Sequence, residues 1–220
     1  MLRDISKIVT TNRAFFLPYL TFLFLGFIGL WLFNKDSMHI AINQRNHPAA
    51  DLFFSYFTFL GDGRMIAVYA LILFFVKYRF VIILLLSNLF AGITTSVLKL
   101  YVFDDVLRPR KYFENIYELR LVPGVDTYFH NSMPSGHSAT AFCVFTCFAL
   151  FSKNKNTGFL FFMIACLTGF SRIYLNQHFL SDVIAGSGIG VFFALLIYYI
   201  FEKKVNKPAL ENALFKKKKV

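Results

Sequence analysis

Ser171 to Asp182 reads SRIYLNQHFLSD and brings an arginine, a histidine and an aspartate into one short stretch. Arg172 supplies a planar anion clamp, His178 a nucleophile or base, and Asp182 a carboxylate that can orient the imidazole. A second cluster, Asn131-Ser132-Met133-Pro134-Ser135-Gly136-His137, stands directly before an apolar run. Ser135 is suited to cap the helix that follows, and Gly136 lets an anion come close to the helix's first free N–H groups, with His137 beside it. Farther upstream lie Lys99 and the run Arg108-Pro109-Arg110-Lys111. These cations suit phosphate oxygens, the arginines through their planar fork.

These groups must be positioned by elements that cross a membrane. Of 220 residues, 57% are hydrophobic and 19% aromatic, including 30 Phe, and the mean hydropathy is +0.57. A soluble domain of this size does not bury so much apolar surface. Uncharged runs at 14–33, 80–98 and 183–201 each approach the ~20 residues that cross the hydrocarbon. Shorter runs at 138–152 and 157–171 span once their polar flanks are counted, and 65–76 is marginal alone. The aromatic stretch 51–63 (DLFFSYFTFLGDG) either lies in the interface or extends that helix from beyond the Gly61-Asp62-Gly63 break. The expectation is an all-α integral membrane bundle of six transmembrane helices forming one domain over 1–220.

Short cytoplasmic loops collect Lys and Arg. Arg3, Lys7 and Arg13 precede the first run, Lys77 and Arg79 follow the second, Lys153 and Lys155 fill a later turn, and Lys203, Lys204, Lys207 and Lys216–Lys219 follow the last. Six spans put all four groups on one face, making 1–13 and 202–220 cytoplasmic tails and the motif-bearing loops extracytoplasmic. The net charge of +11 is then largely a topological signal rather than a nucleic-acid footprint, and the lysine tail suits anionic headgroups. The first run reads as a retained signal anchor. Cys143, Cys147 and Cys166 fall inside expected spans and read as small apolar groups. His39, His47 and His130 read as interfacial polar residues, Asn88 as an interhelical hydrogen-bonding group, and Arg110, Lys111 and Arg120 as loop or headgroup contacts.

The chain resembles the type 2 phosphatidic acid phosphatase (PAP2) superfamily of membrane lipid phosphatases. Pro134–His137 matches that family's Pro-Ser-Gly-His, and Ser171–Asp182 its Ser-Arg, five residues, His, three residues, Asp. Lys99 and Arg108-Pro109 answer to the first motif, although eight residues separate Lys99 from Arg108 where the family usually has six. A bulge in 101–107 is the expected accommodation.

The resemblance implies catalysis by His178, His137 and Asp182 through a phosphohistidine, with Lys99, Arg108, Ser135, Gly136 and Arg172 holding the phosphate, and with no metal or cofactor. No carboxylate cluster near the motifs resembles a two-metal site, and Asp104 and Asp105 read as solvated loop charges. The partners implied are a phosphorylated lipid and the bilayer, with no nucleic acid; oligomeric state is left open. Hydrolysis, with lipid A, polyprenyl diphosphate, phosphatidylglycerophosphate or phosphatidate as substrate, competes with phosphotransfer by the same machinery and with non-enzymatic anion or lipid transport. Transport has no need of a paired His178 and Asp182. The short loops suggest a bacterial cytoplasmic membrane with the active site facing outward, and 112–130, with Tyr117, Arg120 and Tyr128, is the expected headgroup-selecting loop.

Overall fold

A computed structural model describes residues 2–205 and 207–214, so the expected role of Lys216–Lys219 lies outside the described residues. The described residues form helices and loops, without a strand. An amphipathic helix α1 (Leu2–Thr11) leads into α2 (Arg13–Leu32), and two short helices follow, α3 (Lys35–Asn43) and α4 (Pro48–Phe57). Asn34 caps α3 by accepting the Asp36 N–H at 2.9 Å, and Pro48 opens α4 at a position where no N–H is needed. A 3-10 turn (Thr58–Gly61) joins α4 to α5 (Met65–Phe74), with a bend of 61° between the two parts. The remaining helices are α6 (Tyr78–Tyr101), the single turn α7 (Pro109–Tyr112), α8 (Gly136–Phe151), α9 (Thr157–Tyr174) and α10 (Leu180–Lys204).

Four of these, α2, α6, α9 and α10, are long and apolar enough to cross a membrane, and the bent α4–α5 pair makes a fifth if it counts as one span. The sixth expected span is α8, which is apolar but has only 16 residues. It is the centre of the bundle: eleven of its residues are buried, and it packs against α6, α9, α10 and the 3-10 turn. Lipid-facing helices show the opposite pattern. On α2 only Phe15, Phe16, Tyr19 and Gly26 are buried, while Leu17, Phe24, Leu25 and Trp31 stand exposed as a lipid-facing stripe.

Helix packing is closest around the start of α8. A Cβ on Gly186 of α10 would lie 2.3 Å from the Ser135 carbonyl oxygen, and one on Gly61 would lie 2.6 Å from the His137 carbonyl oxygen. Two glycines thus let α10 and the 3-10 turn close on the same helix terminus.

The ends of the bundle differ chemically. At one end Arg79 donates to the carbonyls of Phe201 and Val205 at 2.9 and 2.8 Å, Lys203 pairs with Asp4 at 2.7 Å, and Phe80 stacks on Phe151. Lys77, Lys153 and Lys155 belong to this end through the adjoining helix termini. The opposite end carries Lys99, Arg108, Ser135, His137, Arg172, His178 and Asp182, roofed by α3, α4 and the loop between α6 and α8.

Two expectations need correction. Asn88 donates back to its own helix, to the Leu84 carbonyl at 3.0 Å, rather than across to a neighbour. His39 is not an interfacial residue: it is buried and bonded to Asn176. Arg120, read as a loop or headgroup contact, makes a protein contact, donating to Asp51 through two bonds of 3.0 and 2.5 Å.

Candidate active site

Arg172 lies in the last turn of α9, and its carbonyl accepts the backbone N–H groups of Gln177 and His178 at 2.9 and 3.1 Å. The chain therefore turns back sharply, passing through Asn176 at φ +56°, a left-handed conformation that asparagine tolerates better than most residues. His178 emerges just before α10, and Asp182 lies in that helix's first turn. The Asp182 carboxylate accepts the Phe179 N–H at 2.9 Å, so the same group that steers the histidine also starts the helix.

The two ring nitrogens of His178 face different partners. Nδ1 lies 3.4 Å from Asp182 Oδ2 and 3.5 Å from Ser132 Oγ, while Ser132 donates to that carboxylate oxygen at 2.6 Å. A carboxylate against Nδ1 fixes the proton there and leaves Nε2 as the free lone pair. Nε2 is 3.5 Å from Arg108 Nη1. Burial of the imidazole, which is 2% exposed, pushes its pKa down to about 3, so the ring is neutral.

The cations converge from separate segments. Arg108 donates through Nε to the His130 carbonyl at 2.9 Å and Lys99 through Nζ to the Asn131 carbonyl at 2.7 Å. The two therefore grip adjacent residues of one strap, and the longer spacing between them is taken up by the turn after α6, where Phe103 N–H returns to Leu98 O at 2.8 Å. Arg172 is buried, donates from Nη1 to Thr58 Oγ1 at 2.6 Å, and its Nε has no protein partner. Ser135 caps α8 as expected: its Oγ accepts the Ser138 N–H at 3.3 Å and the Ser138 hydroxyl at 2.9 Å. With its lone pairs engaged, its own O–H is left to donate outward.

His137 and Arg172 open onto a cavity of about 700 Å³, whose walls include Thr58, Asp62, Arg64, Tyr128 and Gln177. Asp62 and Arg64 pair at 2.8 Å on its rim, and Tyr128 lies under the Arg108 guanidinium at 5.3 Å. Ser132 and Thr58 are not legible as site residues, since each reaches the site through contacts distant in sequence, and Gln177 stands beside His178 but only the fold shows that it accepts from Arg108 at 3.3 Å. Among the described residues no three His, Cys, Asp or Glu side chains form a metal-ligating group.

The sequence profile of the PAP2 superfamily matches residues 80–206, more than half of the chain. The chain belongs to the PAP2 superfamily. Its relatives include the lipid A 1-phosphatase of Porphyromonas gingivalis, 37% identical over 40% of this chain and 20% of that protein. Another is phosphatidylglycerophosphatase B of Bacillus subtilis, 38% identical over 34% of this chain and 41% of that protein. The chain thus matches less than half the length of either. Similarity to solved PAP2 structures is more extensive. Aquifex aeolicus LpxE superposes with a TM-score of 0.65 at 27% identity, covering 74% of this chain and 93% of that one. The PAP2-type phosphatidylglycerolphosphate phosphatase of Bacillus subtilis superposes with a TM-score of 0.63 at 25% identity, covering 86% and 96%.

Proposed function

We propose that this PAP2 protein is an integral membrane phosphatase that removes phosphate from a phosphorylated lipid at the extracytoplasmic face. The observation that carries this reading is the placement of His178 between Asp182 and Arg108. A carboxylate on Nδ1 raises the nucleophilicity of Nε2, and the guanidinium beside Nε2 draws a phosphoryl group to that atom.

In the proposed cycle, Nε2 forms a bond to phosphorus while the phosphorus–oxygen bond to the lipid breaks. The departing oxygen takes a proton from His137, whose imidazole becomes charged once the substrate's phosphate lies beside it. His137, now neutral, accepts a proton from water as that water attacks the phosphohistidine, releasing phosphate and restoring His178. Lys99, Arg108, Arg172, the Ser135 hydroxyl and the Gly136 N–H bind the equatorial oxygens, on which transition-state charge collects. The reading includes six spans over 1–220, with α8 as the sixth and the α4–α5 pair as the second. It also places the lysine-rich end in the cytoplasm of a bacterial inner membrane.

The relatives named for lipid A and phosphatidylglycerophosphate favour a phosphate on a large lipid anchor, and the cavity beside His137 offers room for the headgroup that bears the leaving oxygen. Phosphate release by purified protein in EDTA, from phosphatidate, phosphatidylglycerophosphate, undecaprenyl diphosphate and lipid A, tests the reading. One substrate is expected to release phosphate in wild type and none in His178→Ala. Substantial activity in His178→Ala overturns the nucleophile, a strict magnesium requirement points to a different catalyst, and transfer of phosphate to another lipid or sugar instead of water replaces hydrolysis with phosphotransfer.

A further inference from the structure

Behind the turn that delivers His178 lies a buried polar network built from α3 and the loop before α8. His39 is 3% exposed, and its Nε2 lies 2.9 Å from Asn176 Oδ1. The same oxygen accepts from Asn43 Nδ2 at 3.2 Å. Asn176 Nδ2 in turn donates to the Arg120 carbonyl at 3.0 Å. Asn43 grips that peptide from both sides, accepting the Arg120 N–H at 3.0 Å and donating to its carbonyl at 2.8 Å. Asn176 is the residue at φ +56°, two positions before His178. Asparagine adopts this conformation more readily than most residues, and these side chains fix the amide that holds it there.

The His39 ring also packs against the neighbour of the nucleophile, lying 5.2 Å from Phe179 and 5.6 Å from Phe113, centroid to centroid. Asn176 Oδ1 can only accept, so His39 must carry its proton on Nε2. Its Nδ1 has no protein partner, and burial pushes its pKa down. His39 is therefore a neutral donor aimed at the turn. His39 and Asn43 both lie outside the segment 80–206 matched by the superfamily; what they hold lies inside it.

We propose that His39, acting with Asn43 through the Asn176 side chain, is a positioning residue that sets the placement of the His178 ring against Arg108 and Asp182. The proposal rests on the assignment of His178 as nucleophile. It predicts a cost in turnover rather than in substrate binding, because the His39, Asn43 and Asn176 side chains neither line the cavity beside His137 nor bond to the phosphate-binding cations.

The test compares His39→Phe, which keeps an aromatic ring but removes the donor, with His39→Gln, which returns an N–H, and with Asn176→Gly, which keeps the turn conformation but removes the side chain. In detergent-purified full-length protein, kcat is expected to fall about tenfold or more in His39→Phe and Asn176→Gly with KM within about twofold. His39→Gln recovers most of the loss, and the double variant His39→Phe/Asn176→Gly is no slower than the worse single one. Unchanged kcat, a matching rise in KM, or additive losses in the double variant overturn the proposal.

A second readout does not depend on turnover. In protein labelled with ¹⁵N-histidine, with the His178 signals assigned through His178→Gln, His39→Phe is expected to shift or broaden the His178 ring resonances while far-UV circular dichroism stays unchanged. An unmoved His178 signal overturns the positioning role even if no lipid tested is a substrate. A shifted signal with no phosphate release from any lipid leaves the positioning role standing and the phosphatase reading overturned.

Discussion

At His178 a single buried oxygen, Oδ2 of Asp182, serves three donors: the imidazole, the Ser132 hydroxyl and the Phe179 N–H. The histidine and the aspartate are legible in sequence because only three residues separate them at the entrance to one helix. Ser132 was not, since its contact spans 50 residues and nothing in Asn131-Ser132-Met133 separates a buried acceptor-donor from an ordinary loop serine. Removing it strips a hydrogen bond from a buried carboxylate, a type of bond worth about 1.5–3 kcal/mol. Ser132→Ala is therefore expected to lower kcat about tenfold or more with little change in KM, and Ser132→Thr to retain much of the rate. Steady-state phosphate release by the two variants checks this. An equal rate in Ser132→Ala would mean that Nδ1 is held by Asp182 alone.

Among the elements, α2, α6 and α10 are visible as uncharged runs of near-spanning length, and α9 once its polar flanks are counted, because each buries only part of its surface and keeps an apolar exterior for lipid. The reading was less secure where hydrophobicity does not encode depth. α8 is as apolar as its neighbours but enclosed by protein, and α3 is too polar and short to register, although its His39 and Asn43 sit behind His178. The break at Gly61-Asp62-Gly63 was visible; its use was not, since only the packing reveals that Gly61 admits the start of α8. Gly186 gives a direct test of that tight junction. A methyl group there meets the Ser135 carbonyl at 2.3 Å, whereas one on Gly188, a half turn along the same helix, meets nothing within 4 Å. Gly186→Ala is expected to destabilise by about 1–3 kcal/mol through overpacking, and to lower activity by displacing the Ser135 cap. Gly188→Ala should match wild type. Melting temperatures in detergent, measured beside activity, separate the two, and equal behaviour of both variants would show that the α8–α10 contact is soft.

For the molecule as a whole, the distribution of charge along the bundle agrees with the placement of the motifs. Among the described residues, the lysines and arginines expected at the cytoplasm collect at the end remote from His178, an arrangement that the sequence implies only through an assumed count of crossings. Thiol labelling of intact cells tests the orientation. In a background lacking Cys143, Cys147 and Cys166, Glu118→Cys should react with an impermeant maleimide from outside, and Lys153→Cys only after permeabilisation. The reverse pattern would turn the active site toward the cytoplasm.

The length of α8 carries a consequence for where the reaction sits. Sixteen residues make about 24 Å of helix, against about 30 Å of hydrocarbon. If its lysine-proximal end lies at one boundary of the hydrocarbon, its anion-facing end stops short of the other. Phosphorus would then be attacked at or beneath the level of the glycerol backbones, where the dielectric is low and each fixed N–H and guanidinium acts more strongly than at the water surface. A lipid phosphate must sink to meet the histidine, or the leaflet must thin around the protein. On the proposed function, bilayer thickness would then be a parameter of catalysis, set by the acyl chains of the membrane as much as by the substrate's headgroup.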